Sequence, residues 1–133
     1  MHPLLQRLRE LELPIGDWAI FGSGPLLVRG WIDQVGDLDL IAREPALTHA
    51  LEAGERLYLE EHDIAVVGID DGAITVGTSW AYGDFDIGEL IDTAELIDGF
   101  PCVRLEHVVA FKQAAGRPKD LEHLRVIEAH QAT

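Results

Sequence analysis

The sequence predicts an α/β (α+β) fold, a mixed sheet flanked by helices, on three observations. Short apolar runs of strand length alternate with segments whose apolar residues recur at helical spacing. The strand-like runs gather between Trp18 and Ile87, and the last third of the chain changes to a helical period. With 133 residues, 47% of them hydrophobic, the chain fits one domain over residues 1–133.

The elements follow in order. Leu4, Leu5, Leu8 and Leu11 after Pro3 predict an amphipathic helix that Pro14 closes. Trp18-Ala19-Ile20-Phe21 reads as a buried strand, broken by Gly22-Ser23-Gly24, and Pro25 suits the first turn of a short helix that stops near Gly30. Asp37-Leu38-Asp39-Leu40-Ile41 alternates as a strand does, and a helix is expected over Ala46–Ala53. Strands are expected near Arg56–Leu59, Ile64–Ile69 and Ala73–Thr78, with turns at Glu61-His62-Asp63 and Asp70-Asp71-Gly72, and one more at Asp84–Ile87. Leu105, Val108, Val109 and Phe111 fit one helix, and Leu121, Leu124 and Ile127 fit another, with Gly116 and Pro118 between them.

Composition narrows the function. Twenty-four acidic against ten basic residues give a net charge of −14, a field that repels a nucleic-acid backbone. A nucleotide carried in with Mg²⁺ is still admissible, because the ion offsets the phosphate charge locally. Cys102, the single cysteine, cannot form an internal bridge, and no run of about 18 apolar residues marks a membrane span. The start of the chain lacks a basic stretch followed by an apolar one, so a soluble, cytoplasmic protein with no membrane contact is expected.

Two segments carry chemistry. Asp37 and Asp39, two apart on a strand, share a face while Leu38 and Leu40 turn away; their repulsion is costly without a cation, and paired oxygen donors suit Mg²⁺ or Mn²⁺. Acidic pairs also occur at exposed strand ends with no ligand. Gly22-Ser23-Gly24, between a strand and a helix, presents backbone N–H groups to which phosphate binds. It is neither a Walker loop, which needs Gly-Lys-Ser/Thr, nor a nucleophile elbow, since Phe21 and Pro25 stand where glycines are required. Arg29 reaches either a phosphate or solvent. Helix-end chemistry at Gly116, Pro118 and Asp120 accounts for much of the basic stretch around Arg117 and Lys119. The six histidines form no metal-binding motif, and Trp31, Trp80 and Tyr82 read as packing residues.

Taken together, strand, Gly22-Ser23, helix and a second strand bearing Asp37-x-Asp39 resemble the nucleotidyltransferase superfamily, whose fold is shared with DNA polymerase beta. The likeness to its small bacterial members of the abortive-infection type continues through Asp98-Gly99-Phe100-Pro101, Leu105-Glu106-His107, Phe111-Lys112 and Gly116-Arg117-Pro118-Lys119-Asp120-Leu121, spanning about residues 17–128. The resemblance implies transfer of a nucleoside monophosphate from a nucleoside triphosphate to an acceptor. Gly22, Ser23 and Gly24 would hold the triphosphate with Lys112 nearby, and Asp37, Asp39 and a third aspartate would hold two Mg²⁺ ions. Asp86 is the expected third ligand, with Asp84 its close competitor. Many members add a helical domain that grips the acceptor; without one, the acceptor is small or a partner protein or second copy completes the cleft. A catalytically silent binding module, such as one half of a toxin–antitoxin pair, is the alternative.

Overall fold

The computed structural model describes residues 1–60, 64–78 and 85–131. Within them a seven-stranded mixed sheet carries helices on both faces. The order is α1 (Pro3–Leu11), β1 (Trp18–Phe21), α2 (Gly24–Val28), β2 (Leu38–Ala42), α3 (Ala46–Ala53), β3 (Glu55–Leu59), β4 (Ile64–Ile69), β5 (Ile74–Gly77), α4 (Ile87–Asp92), β6 (Glu95–Ile97), β7 (Phe100–Cys102), α5 (Leu105–Ala115) and α6 (Pro118–Gln131). The strands lie in the order β3-β4-β5-β2-β1-β7-β6. β1 runs antiparallel to β2 and parallel to β7, while β2 and β5 are parallel.

Strand alternation sorts the core into two layers, because successive side chains leave a strand on opposite faces. Trp18, Ile20, Leu38, Leu40 and Ala42 pack with Leu5, Leu8 and Leu11 of α1 and Ala46 and Ala50 of α3. Ala19, Phe21 and Ile41 face the other way, against Leu90 and Ile91 of α4, Val108 and Phe111 of α5 and Ile127 of α6. Phe21 sits 5.0 Å from Phe111 and 5.3 Å from Phe85, ring centre to ring centre, an aromatic knot under α5.

Since Asp39 stands opposite Phe21 in the β1–β2 register, it projects toward the α5–α6 side. β1 ends where β2 begins, so the turn after β1 and the aspartates at the start of β2 share one edge of the sheet.

The expected strand at Asp84–Ile87 is a correction. Asp86 is the N-cap of α4, its side chain accepting from the Glu89 N–H, and that local bond draws the backbone into a helix. The turn expected at Glu61-His62-Asp63 lies outside the described residues, as do Asp84, Trp80 and Tyr82.

Candidate functional site

The turn after β1 is shaped by what it touches. Gly22 has φ +63°, and a Cβ there would stand 3.0 Å from Asp39 Oδ2. Glycine is thus required twice over, for the left-handed backbone and for the close approach. Gly24 starts α2, and a Cβ on it would run into the Ile20 side chain; its job is to let the helix sit down on β1. Ser23 holds the N-cap position of α2 but makes no side-chain cap bond. Its hydroxyl is instead 2.9 Å from Lys112 Nζ and 3.1 Å from His123 Nδ1.

Across from this turn, Asp39 accepts a 2.9 Å hydrogen bond from Thr75 on the neighbouring β5. Burial, with the charge of Asp37 added to it, pushes the Asp39 carboxyl up from 3.8 to about 6, against the opposing pull of Thr75, Lys119 and Arg117. A carboxylate so placed is short of positive charge. Oxygen donors from two neighbouring aspartates fit a hard divalent cation, and Mg²⁺ is commonly held by one or two carboxylates together with substrate phosphates.

The third wall comes from the junction of α5 and α6. Lys112 and Asp120 are fully buried, 3.2 Å apart. Asp120 also accepts from the Arg117 main-chain N–H and its Nε and Nη2 atoms at 3.2, 2.6 and 3.3 Å. Burial works to raise the Asp120 carboxyl, but the bonds from Arg117 and Lys112 outweigh it and hold it low. Asp120 thereby ties the end of α5 to the start of α6 and fixes Arg117 at the mouth of the cleft.

The result is a cleft of about 370 Å³ lined by Gly22, Ser23, Asp37, Asp39, Arg117, Lys119 and His123, with Gln34, Val35 and Gly36 at its rim. Carboxylates from the start of β2 and cations from the α5–α6 junction both line it. Such a site accepts a group that carries its own cation against Asp37 and Asp39 while presenting anionic oxygens to Arg117 and Lys119.

Of the residues expected at the site, Gly22, Ser23, Asp37 and Asp39 line this cleft. Asp86 does not. A Cβ on Gly88 would meet both Asp86 Oδ1 and the Arg43 guanidinium, which places Asp86 beside Arg43, and Arg43 lies four residues beyond Asp39, about 13 Å along β2. Arg29 is likewise elsewhere: its guanidinium bonds the Pro25 carbonyl and Glu95 and covers the Trp31 ring. Gly24 acts through packing, and Lys112 lies beneath Ser23, buried behind the cleft wall. His123, Thr75 and Asp120 join the site without having been singled out for it. Among the described residues no group of three or more His, Cys, Asp or Glu side chains converges as a metal site. No helix among them is long and apolar enough to cross a membrane.

Compared with known proteins, the chain matches no family model, no curated protein and no solved structure.

Proposed function

We propose that this chain is a metal-dependent nucleotidyltransferase that moves a nucleoside monophosphate from a nucleoside triphosphate to a small-molecule or protein acceptor. The observation that carries the reading is the meeting of Asp37 and Asp39 with the Gly22-Ser23 turn in one cleft, together with Arg117 and Lys119. In this reading Asp37 and Asp39 hold Mg²⁺ or Mn²⁺, which when bound neutralises and orients phosphate oxygens. The Gly22 and Ser23 groups hold the phosphate chain, and Arg117 and Lys119 supply countercharge where pyrophosphate departs. The acceptor oxygen bonds to the α-phosphorus as the α–β bridging bond breaks. With a net charge of −14 the chain repels a polyanionic acceptor, so a nucleic acid is disfavoured.

Incubation with α-labelled nucleoside triphosphates and Mg²⁺, alone and with cell extract, tests the reading. Label transferred by the wild type and not by Asp39→Asn supports it. One observation bears on a second reading, a silent nucleotide-binding module of the same fold: Asp86, the first of the two candidates for the third carboxylate, stands away from the cleft as the N-cap of α4, while its competitor Asp84 lies outside the described residues. Calorimetry showing Mg²⁺-dependent triphosphate binding with no label transferred to any acceptor supports that second reading.

A further inference from the structure

The buried side of the cleft wall decides the protonation of a residue on its open side. Lys112 Nζ lies 2.9 Å from Ser23 Oγ, 3.2 Å from Asp120 Oδ1 and 3.0 Å from His123 Nδ1. An ammonium has three hydrogens and no lone pair, so each of these three neighbours must accept. Asp120 is held as a carboxylate by its bonds from Arg117 and Lys112, and its adjacent negative charge favours the ammonium form of Lys112 against burial, the larger influence, which lowers the Lys112 pKa. His123 Nδ1 therefore presents a lone pair. A proton on Nδ1 would point at a cation 3.0 Å away.

Ser23 and the rest of the surroundings agree. With its oxygen accepting from Lys112, Ser23 has its hydroxyl hydrogen directed at the His123 Nδ1 lone pair 3.1 Å away. The groups that act on the His123 ring are Lys112 from α5, Ser23 from the turn before α2, and Lys119, Asp120 and Glu122 from its own helix. Burial and then Lys112 lower its pKa, and Asp120 and Glu122 oppose them without prevailing.

We infer that His123 is a phosphate-positioning residue, a neutral imidazole locked by Lys112 as the Nε2–H tautomer, donating from Nε2 to the same phosphate chain that Ser23 and Gly22 hold. The ring lines the cleft while Nδ1 is bound on the buried side, which leaves Nε2 as the nitrogen a ligand can reach. Cationic attraction is already supplied by Arg117 and Lys119; a neutral donor adds direction without further charge, and its hydrogen bond does not vanish as pH rises through the ordinary histidine range. The inference rests on the nucleotide reading of the cleft.

Nitrogen-15 NMR of the histidine rings of the full-length chain, followed by titration with inorganic pyrophosphate and Mg²⁺, tests it. Expected is an unprotonated Nδ1 and a protonated Nε2 for His123 at pH 7, with the Nε2 signal shifting when pyrophosphate binds. His123→Ala should weaken pyrophosphate binding about tenfold, the usual loss for one hydrogen bond to an anion, and His123→Gln, whose amide N–H reaches nearly the same place, should stay within about threefold of wild type. An imidazolium or an Nδ1–H tautomer at pH 7 overturns the inference whatever binds. So does an unchanged affinity in His123→Ala, and in both cases the nucleotide reading survives if the wild type binds pyrophosphate. Failure of the wild type to bind pyrophosphate at all, with the expected tautomer observed, removes the nucleotide reading and the donor role with it.

Discussion

Gly22 and Asp39 are in contact across the cleft: a Cβ on Gly22 would lie 3.0 Å from Asp39 Oδ2, on a backbone with φ +63°. The turn and the acidic strand are therefore one packed unit. A ligand held by the turn is held within reach of the carboxylate pair.

The contact makes Gly22→Ala costly for two separable reasons. The left-handed backbone alone costs a non-glycine residue about 1–2 kcal/mol, and crowding against Asp39 Oδ2 adds to it. Urea denaturation should show a loss of about 2 kcal/mol in the wild-type background. In an Asp39→Ala background, where the crowding oxygen is gone, the loss should fall to about 1 kcal/mol. An identical loss in both backgrounds would show that the contact with Asp39 contributes nothing.

Asp39 should also give stability an unusual pH dependence. Its folded carboxyl titrates at about 6 instead of 3.8, because burial and Asp37 disfavour its charge. The folded chain then binds a proton more tightly than the unfolded chain does, so this group's contribution is full below about pH 4, declines between 4 and 6, and is lost above 6. A rise of that size corresponds to about 3 kcal/mol. Asp39→Asn keeps an oxygen for the Thr75 hydroxyl and removes the charge. It should be about 1–3 kcal/mol more stable than wild type at pH 8 in chelator and no more stable at pH 4, read by thermal melts at both pH values.

The buried ion pair predicts an asymmetry between its two partners. Asp120→Ala strands the Lys112 ammonium in the core and releases Arg117, so a loss of about 3–5 kcal/mol is expected. Lys112→Met leaves Asp120 still paired with Arg117 and replaces an ammonium with an apolar chain of similar length, so its loss should be smaller, about 1–2 kcal/mol. Denaturant melts rank the two, and equal losses would mean that Arg117 does not compensate Asp120.

Local chemistry made much of this architecture legible in the sequence. A short apolar run located β1, alternation located β2 and strand-forming residues between turns located β4, and Pro3, Gly116 and Pro118 marked helix limits that stand at α1, α5 and α6. The joint spacing of Gly22-Ser23 and Asp37-x-Asp39 was readable because one follows the end of β1 and the other straddles the start of β2, its antiparallel neighbour, so the edge they share follows from short-range order. Asp86 was misplaced because an alternating Asp84-Phe85-Asp86-Ile87 also fits a helix entry, where Asp86 caps α4. The β6–β7 hairpin is only three residues on each side, yet Asp98-Gly99 with φ values of +51° and +84° is a recognisable two-residue turn that could have revealed it. His123 carried no signal at all. Its place depends on α6 folding back so that residue 123 meets residue 23, a contact with no local signature.

Metal should bind where the carboxylates are, and the melting temperature can report it without a known substrate. A ligand that binds only the folded chain stabilises it by RT ln(1 + [L]/Kd), about 1.4 kcal/mol at ten times Kd. For a domain of this size that is a rise of about 5 °C. Mg²⁺ should therefore raise the wild-type melting temperature at pH 7.5 and leave Asp37→Asn and Asp39→Asn unmoved, since each substitution removes one of the two charged donors. The proton competes with the metal for Asp39, whose carboxyl titrates at about 6, so the response should shrink as pH falls below that value and disappear near pH 4. The gap between the proteins depends on metal: in chelator Asp39→Asn melts above wild type, and in excess Mg²⁺ the gap narrows or closes. If instead both aspartates serve only the local structure, the substitutions melt clearly below wild type in chelator and Mg²⁺ moves none of the three proteins, an outcome that would remove the metal site and the transfer reaction built on it.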